Sequence, residues 1–104
     1  MVPPLVLVVA FDSTNTYVYP GGKRNSGVED ASIVATHMLL AARNVGVDSC
    51  WVNRLDPDVL ASELGLPENE VVLMALDLGH AAEGTTALPN HSKRKPLAET
   101  VTYL

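Results

Sequence analysis

The chain has 104 residues, 47% of them hydrophobic and 18% charged, with a formal net charge of -5. These proportions suit one soluble domain built on a single core, residues 1–104. The acidic balance excludes a general nucleic-acid binder, which needs a Lys/Arg surplus to displace counterions from phosphates.

The opening apolar stretch, residues 1–11, lacks the basic start and small-residue cleavage site of a signal peptide, and it is too short to span a membrane. Cys50 is the one cysteine, so no disulfide forms within the chain, and a reducing, cytoplasmic setting is expected. Within that opening stretch, residues 5–10 (LVLVVA) read as a strand buried on both faces. Residues 12–28 are polar, with Pro20-Gly21-Gly22 as a turn signal, and read as a long surface loop.

A helix is expected over residues 28–44. Ser26 and Glu29 have the spacing of a capping box, and Gly46 supplies the stop. Val34, Met38, Ala41 and Val45 recur at helical spacing, while Ile33, Leu39 and Leu40 fill much of the remaining circumference. A helix apolar nearly all round is buried on most sides, and one small chain has difficulty covering it. Pairing with its copy in a second chain is therefore expected.

Residues 47–53 (VDSCWVN) read as a short strand. Asp56 as N-cap and Pro57 at the first helical position start a second helix, which ends near Gly65. Residues 71–78 (VVLMALDL) form a second buried strand, residues 79–90 a loop, and residues 97–104 (LAETVTYL) an extended arm of β-formers. Lys93, Arg94 and Lys95 form a compact basic run, suited to one anionic group rather than to a long polyanion.

Three segments taken together resemble the nitroreductase family of flavoproteins. Residues 30–40 (DASIVATHMLL) are similar to its central helix, residues 46–53 (GVDSCWVN) to the segment after it, and residues 91–103 (HSKRKPLAETVTY) to its C-terminal ending. The likeness covers essentially the whole chain but only the C-terminal half of the family's usual length. The preceding half carries a basic, serine-containing phosphate-binding motif.

The resemblance implies an α+β, nitroreductase-like fold with a mainly antiparallel sheet and flanking helices, truncated at its N-terminal side. It implies an intertwined homodimer with FMN at the subunit interface. NAD(P)H would act as electron donor, and a nitroaromatic or quinone-like small molecule as acceptor. Asn53 and Arg54 align with the turn whose backbone faces the flavin ring, and Ser92 and Arg94 with residues that hold the FMN phosphate. A guanidinium and a hydroxyl suit phosphate oxygens chemically. No catalytic side chain and no metal site are expected, and neither a nucleic-acid nor a membrane partner.

Alternative readings of single residues are bland. His37 reads as a hydrogen-bonded core or interface histidine, Cys50 and Trp51 as packing, and Ser32 as a residue near a helix start. Two alternatives to a reductase are a non-catalytic remnant or assembly subunit that dimerises without flavin, and a small ligand-binding module.

Overall fold

Six elements follow one another along the chain: β1 (Leu5–Asp12), α1 (Gly27–Asn44), β2 (Asp48–Val52), α2 (Pro57–Glu63), β3 (Glu70–Gly79) and α3 (Leu97–Thr100). They belong to a computed structural model that describes residues 3–104. Met1 and Val2, which open the stretch weighed above as a signal segment, lie outside the described residues. The strands form one antiparallel sheet in the order β1-β3-β2, so the last and most buried strand is the central one. This is the α+β arrangement of antiparallel sheet and flanking helices expected from the sequence.

Register fixes which side chains share a face. Leu7 opposes Leu76, Val9 opposes Met74, and Trp51 also opposes Leu76. These residues form the core together with Ala31 and Ala35 of α1, and Met74, Leu76 and Ala35 are fully buried. Small residues on the inner side of α1 let the helix lie close on the sheet. A bulge then shifts the pairing, so that Ala10 meets Val72 and Leu73 is left as the extra residue. The opposite face carries Val72 and Ala75, both buried. Since α2 packs on β3 and does not touch α1, it covers that second face.

The second helix starts as its sequence dictates. Asp56 Oδ1 accepts hydrogen bonds from the N–H groups of Asp58 and Val59, both at 3.1 Å, and Pro57 has no N–H that would need an acceptor. Gly46 ends α1 at φ 77°, a backbone conformation that a side chain would strain.

Several expectations are corrected. Ser26 and Glu29 do not form a capping box. The hydroxyl of Ser26 donates to Asp30 Oδ2 at 2.6 Å and accepts from Tyr17 N–H, while Glu29 accepts from the Tyr19 hydroxyl. Asn25 Oδ1 takes the Gly27 N–H instead. Ser26 has helical φ and ψ, whereas a capping side chain reaches its N–H from an extended backbone. β1 is not buried on both faces, because it is an edge strand and its first residues, Leu5 and Val6, are exposed.

The apolar circumference of α1 is not covered within the chain, as expected of a helix too apolar for one small chain to enclose. Only Gly27, Ala31 and Ala35 of that helix are buried. Cys50, expected to pack, is exposed on β2. The tail contains the single turn α3 rather than an extended β-like run.

Residues 80–104 are exposed without exception, and α3 packs against no other element. The radius of gyration is 17.0 Å, where a compact chain of this length has roughly 13 Å. The accessible surface is 8508 Å², against about 5,700 Å² for a compact 11.1 kDa monomer. Among the described residues no helix is long and apolar enough to cross a membrane.

Candidate functional site

Three neighbourhoods carry the functional groups. The first is the turn after β2. β2 runs parallel to β1, as both are antiparallel to β3, so Asn53 and Arg54 leave the sheet towards the end where β1 also finishes. Both residues are exposed. Among the described residues, their N–H groups donate to no turn, loop or cap acceptor. An exposed turn with free backbone donors at the rim of a rigid sheet can face a planar ligand that offers an acceptor atom.

The second neighbourhood is the arm. Two turns shape it, with His91 N–H donating to Leu88 O at 2.9 Å and Lys93 N–H to Asn90 O at 3.2 Å. Arg94 Nη1 donates to the carbonyls of His91 (3.0 Å) and Lys93 (2.7 Å), so the guanidinium is braced by its own loop. Its remaining donors engage nothing among the described residues, and no carboxylate pairs with it; the one ion pair described is Arg43–Asp48 at 3.4 Å. Ser92 sits exposed within the second of these turns. A hydroxyl and a braced guanidinium two residues apart form a donor set chemically suited to phosphate.

The chain does not bring these two donor sets together. The arm leaves from Gly79, which pairs with Asp48 at the start of β2, whereas Asn53 and Arg54 follow its end. Among the described residues no hydrogen bond joins them, and none of the three main cavities is lined by Asn53, Arg54, Ser92 or Arg94.

The third neighbourhood is an apolar groove of about 560 Å³ beside the C-terminal half of α1. Met38, Ala41 and Val45 of the predicted stripe form one wall, with Leu5, Leu7 and Leu78 opposite. His37 lies outside this groove, exposed, with Nδ1 2.8 Å from Ile33 O. Trp51 packs half-buried against the core.

Sequence reasoning passed over one assembly. Within the loop before α1, Val18 bridges Asn25, Tyr19 N–H donates to Arg24 O at 3.0 Å and Gly22 N–H to Tyr19 O at 2.9 Å, closing a tight hairpin. The Tyr17 and Tyr19 rings meet edge to face, 5.3 Å apart, and the Arg24 guanidinium lies 4.6 Å over the Tyr19 ring. The Tyr19 hydroxyl is held protonated to unusually high pH, chiefly by its hydrogen bond to Glu29 and then by desolvation and the charge of that carboxylate. The available signal was the alternation Tyr17-Val18-Tyr19 ahead of a Pro-Gly-Gly turn.

Comparison with known proteins places this arrangement. The Nitroreductase family model matches residues 2–80, which include Asn53 and Arg54 and stop short of the arm. A nitroreductase family protein from Clostridium difficile 630 is 32% identical with a TM-score of 0.85, over 97% of this chain and 59% of that one. A nitroreductase with bound FMN from Bacteroides fragilis NCTC 9343 is 29% identical with a TM-score of 0.66, over 98% of this chain and 51% of that one. An FMN complex from Exiguobacterium sibiricum 255-15, 22% identical with a TM-score of 0.65 over 76% of this chain and 36% of that one, shares the fold. No curated protein matches. The chain thus spans between about a third and three-fifths of the length of these solved relatives, and by its family match over residues 2–80 it belongs to the nitroreductase family.

Proposed function

We propose that this chain works in an FMN-dependent NAD(P)H oxidoreductase of nitroreductase type, as a homodimer in the cytoplasm, with nitroaromatic or quinone-like acceptors. The observation that carries the reading is a family match that includes one donor set, together with a second donor set on the arm beyond it. One is a rim turn with free N–H groups at Asn53 and Arg54; the other is a braced, uncompensated guanidinium at Arg94 beside the Ser92 hydroxyl. The FMN-bound relative from Bacteroides fragilis supports the choice of flavin.

The donors fit FMN in kind. Ser92 and Arg94 would hold its phosphate by charge-assisted hydrogen bonds, and the turn at Asn53 and Arg54 would orient its ring. Bound flavin would supply the hydride chemistry, so no side chain of this chain need act as acid or base. Because one chain leaves the two sets apart, a site that uses both takes the turn from one copy and the arm from another.

The surplus accessible surface, nearly 3,000 Å² over a compact monomer, is ample for that, since stable interfaces bury about 600–2,500 Å² per partner. The apolar groove and the stripe Val34, Met38, Ala41 and Val45 are the surfaces expected to be covered. One observation favours a second reading, an assembly subunit that dimerises without flavin: among the described residues, none of the three main cavities is lined by the four donor residues. Visible spectra of the purified chain with and without added FMN separate the two. Bound flavin shows a shifted, structured 450-nm-region band, whereas the assembly subunit leaves the spectrum of free FMN unchanged.

A further inference from the structure

The hairpin between Tyr17 and Ser26 has no role in the site proposed above, yet it is among the most constrained surface features of the molecule. Five hydrogen bonds hold it. Besides the two inside the hairpin, Ser26 N–H donates to Tyr17 O at 2.9 Å, Tyr17 N–H to Ser26 Oγ at 3.1 Å, and Gly27 N–H to Asn25 Oδ1 at 2.9 Å. Tyr19 is half-buried between Arg24 and Tyr17, but the Tyr17 ring remains 62% exposed. An isolated exposed tyrosine is unremarked on most surfaces; one held by an edge-to-face ring contact and a closed backbone ring has already lost part of the freedom that binding would otherwise cost.

Two cations beside this ring are placed to meet an anion. Lys23 and Arg24 occupy the same tight turn, and neither is paired with a carboxylate among the described residues. The two nearby carboxylates accept from hydroxyls, Glu29 from Tyr19 and Asp30 from Ser26, and neither is ion-paired with Lys23 or Arg24 among the described residues. A fixed aromatic ring with two free cations on one turn matches a base carrying phosphates.

The position sets the size of the ligand. The base of the hairpin lies against β1, since a Cβ on Gly27 would overlap the Phe11 ring. Phe11 is in register with Val71, and Val52, just before Asn53, with Ala75. Four residues along β3 separate these levels by roughly 14 Å, at the same end of the sheet. A dinucleotide, with two nucleosides joined through a pyrophosphate, is the class of ligand that can reach from one to the other.

We propose that this hairpin binds the adenosine-phosphate half of a dinucleotide, with the Tyr17 ring stacking on the base and Lys23 and Arg24 taking the phosphates. Identifying that dinucleotide as the electron donor rests on the function proposed above; the nucleotide site itself does not.

The test is titration of the full chain with ADP, adenosine and inorganic pyrophosphate, followed by NMR shifts or calorimetry. One stacked base and two cations predict ADP affinity on the order of 1 mM. Tyr17→Ala should weaken ADP and adenosine by about 5–30-fold and leave pyrophosphate unchanged, while Tyr17→Phe restores wild-type values. The double substitution Lys23→Ala, Arg24→Ala should weaken ADP and pyrophosphate about tenfold or more and leave adenosine unchanged.

No ADP binding at about 10 mM, or binding indifferent to Tyr17, would overturn the inference. An FMN titration on the same protein keeps the two readings apart. FMN binding without ADP binding refutes the hairpin site alone, whereas ADP binding without FMN binding supports the hairpin site and refutes the flavin reading alone.

Discussion

Asn69 Nδ2 donates to Asp12 Oδ1 at 2.8 Å, joining the last residue of β1 to the turn that opens β3 across 57 positions of sequence. The same carboxylate oxygen accepts from the Thr14 hydroxyl at 2.6 Å and the Thr14 N–H at 2.8 Å. Three donors on one carboxylate fix where β1 ends and the functional loop begins, and the Thr14 hydroxyl does most to hold its pKa below the ordinary aspartate value, followed by Asn69.

That shift gives a signed pH prediction. A depressed folded-state pKa contributes stability that is present above the unfolded value and is lost as pH falls through the folded one. Urea melts of the wild type should therefore show an acid-side loss, setting in below about pH 4, that is shallower in Asp12→Asn. Parallel pH profiles for the two proteins would contradict the network.

Gly27→Ala reverses a usual expectation. Alanine for glycine at negative φ in a helix ordinarily stabilises. Here the new methyl would meet the Phe11 ring, which closes the core beside α1. Chemical denaturation should show a loss of about 1–3 kcal/mol, partly recovered by adding Phe11→Leu.

The sheet and the arm should respond oppositely to truncation. Leu76→Ala empties a fully buried site and should cost about 2–5 kcal/mol of folding stability. Leu97→Ala, on a residue 76% exposed, should leave folding within about 0.5 kcal/mol and act only on association. Denaturant midpoints at low protein concentration, with sedimentation at high concentration, would check both.

The stripe on α1 gives an association prediction. Met38→Glu introduces a charge into the apolar groove without touching the core of Ala31, Ala35, Met74 and Leu76. Light scattering should find dimers for the wild type and monomers with unchanged helicity for the variant. A wild-type monomer at every concentration would refute the shared site.

Much of the fold was legible in the sequence because its signals are local. Asp56-Pro57 announces a helix start, Gly46 a stop, and the Val-rich runs announce strands, and each appears within a residue or two of its expected place. The errors arise where a side chain chose a distant partner. Ser26 spends its hydroxyl on Asp30 and the Tyr17 backbone, and no spacing rule foretells that. Likewise, the burial expected of Leu5 and Val6 assumed neighbours on both faces, which this chain does not supply to the start of an edge strand. Asn53, Arg54, Ser92 and Arg94 came from resemblance, since exposed polar residues on turns carry no periodic signal of their own.

The most direct test of the proposed function compares two ligands that differ only by a phosphate. FMN and riboflavin would be titrated into the wild type, Arg94→Ala, Ser92→Ala and Lys95→Ala at high protein concentration. Arg94→Ala should weaken FMN by about 1.5–3 kcal/mol and leave riboflavin unchanged, with Ser92→Ala intermediate and Lys95→Ala near wild type. Equal losses for both ligands in Arg94→Ala, no loss for either, or no FMN binding by the wild type would contradict the assignment of the arm as the phosphate grip.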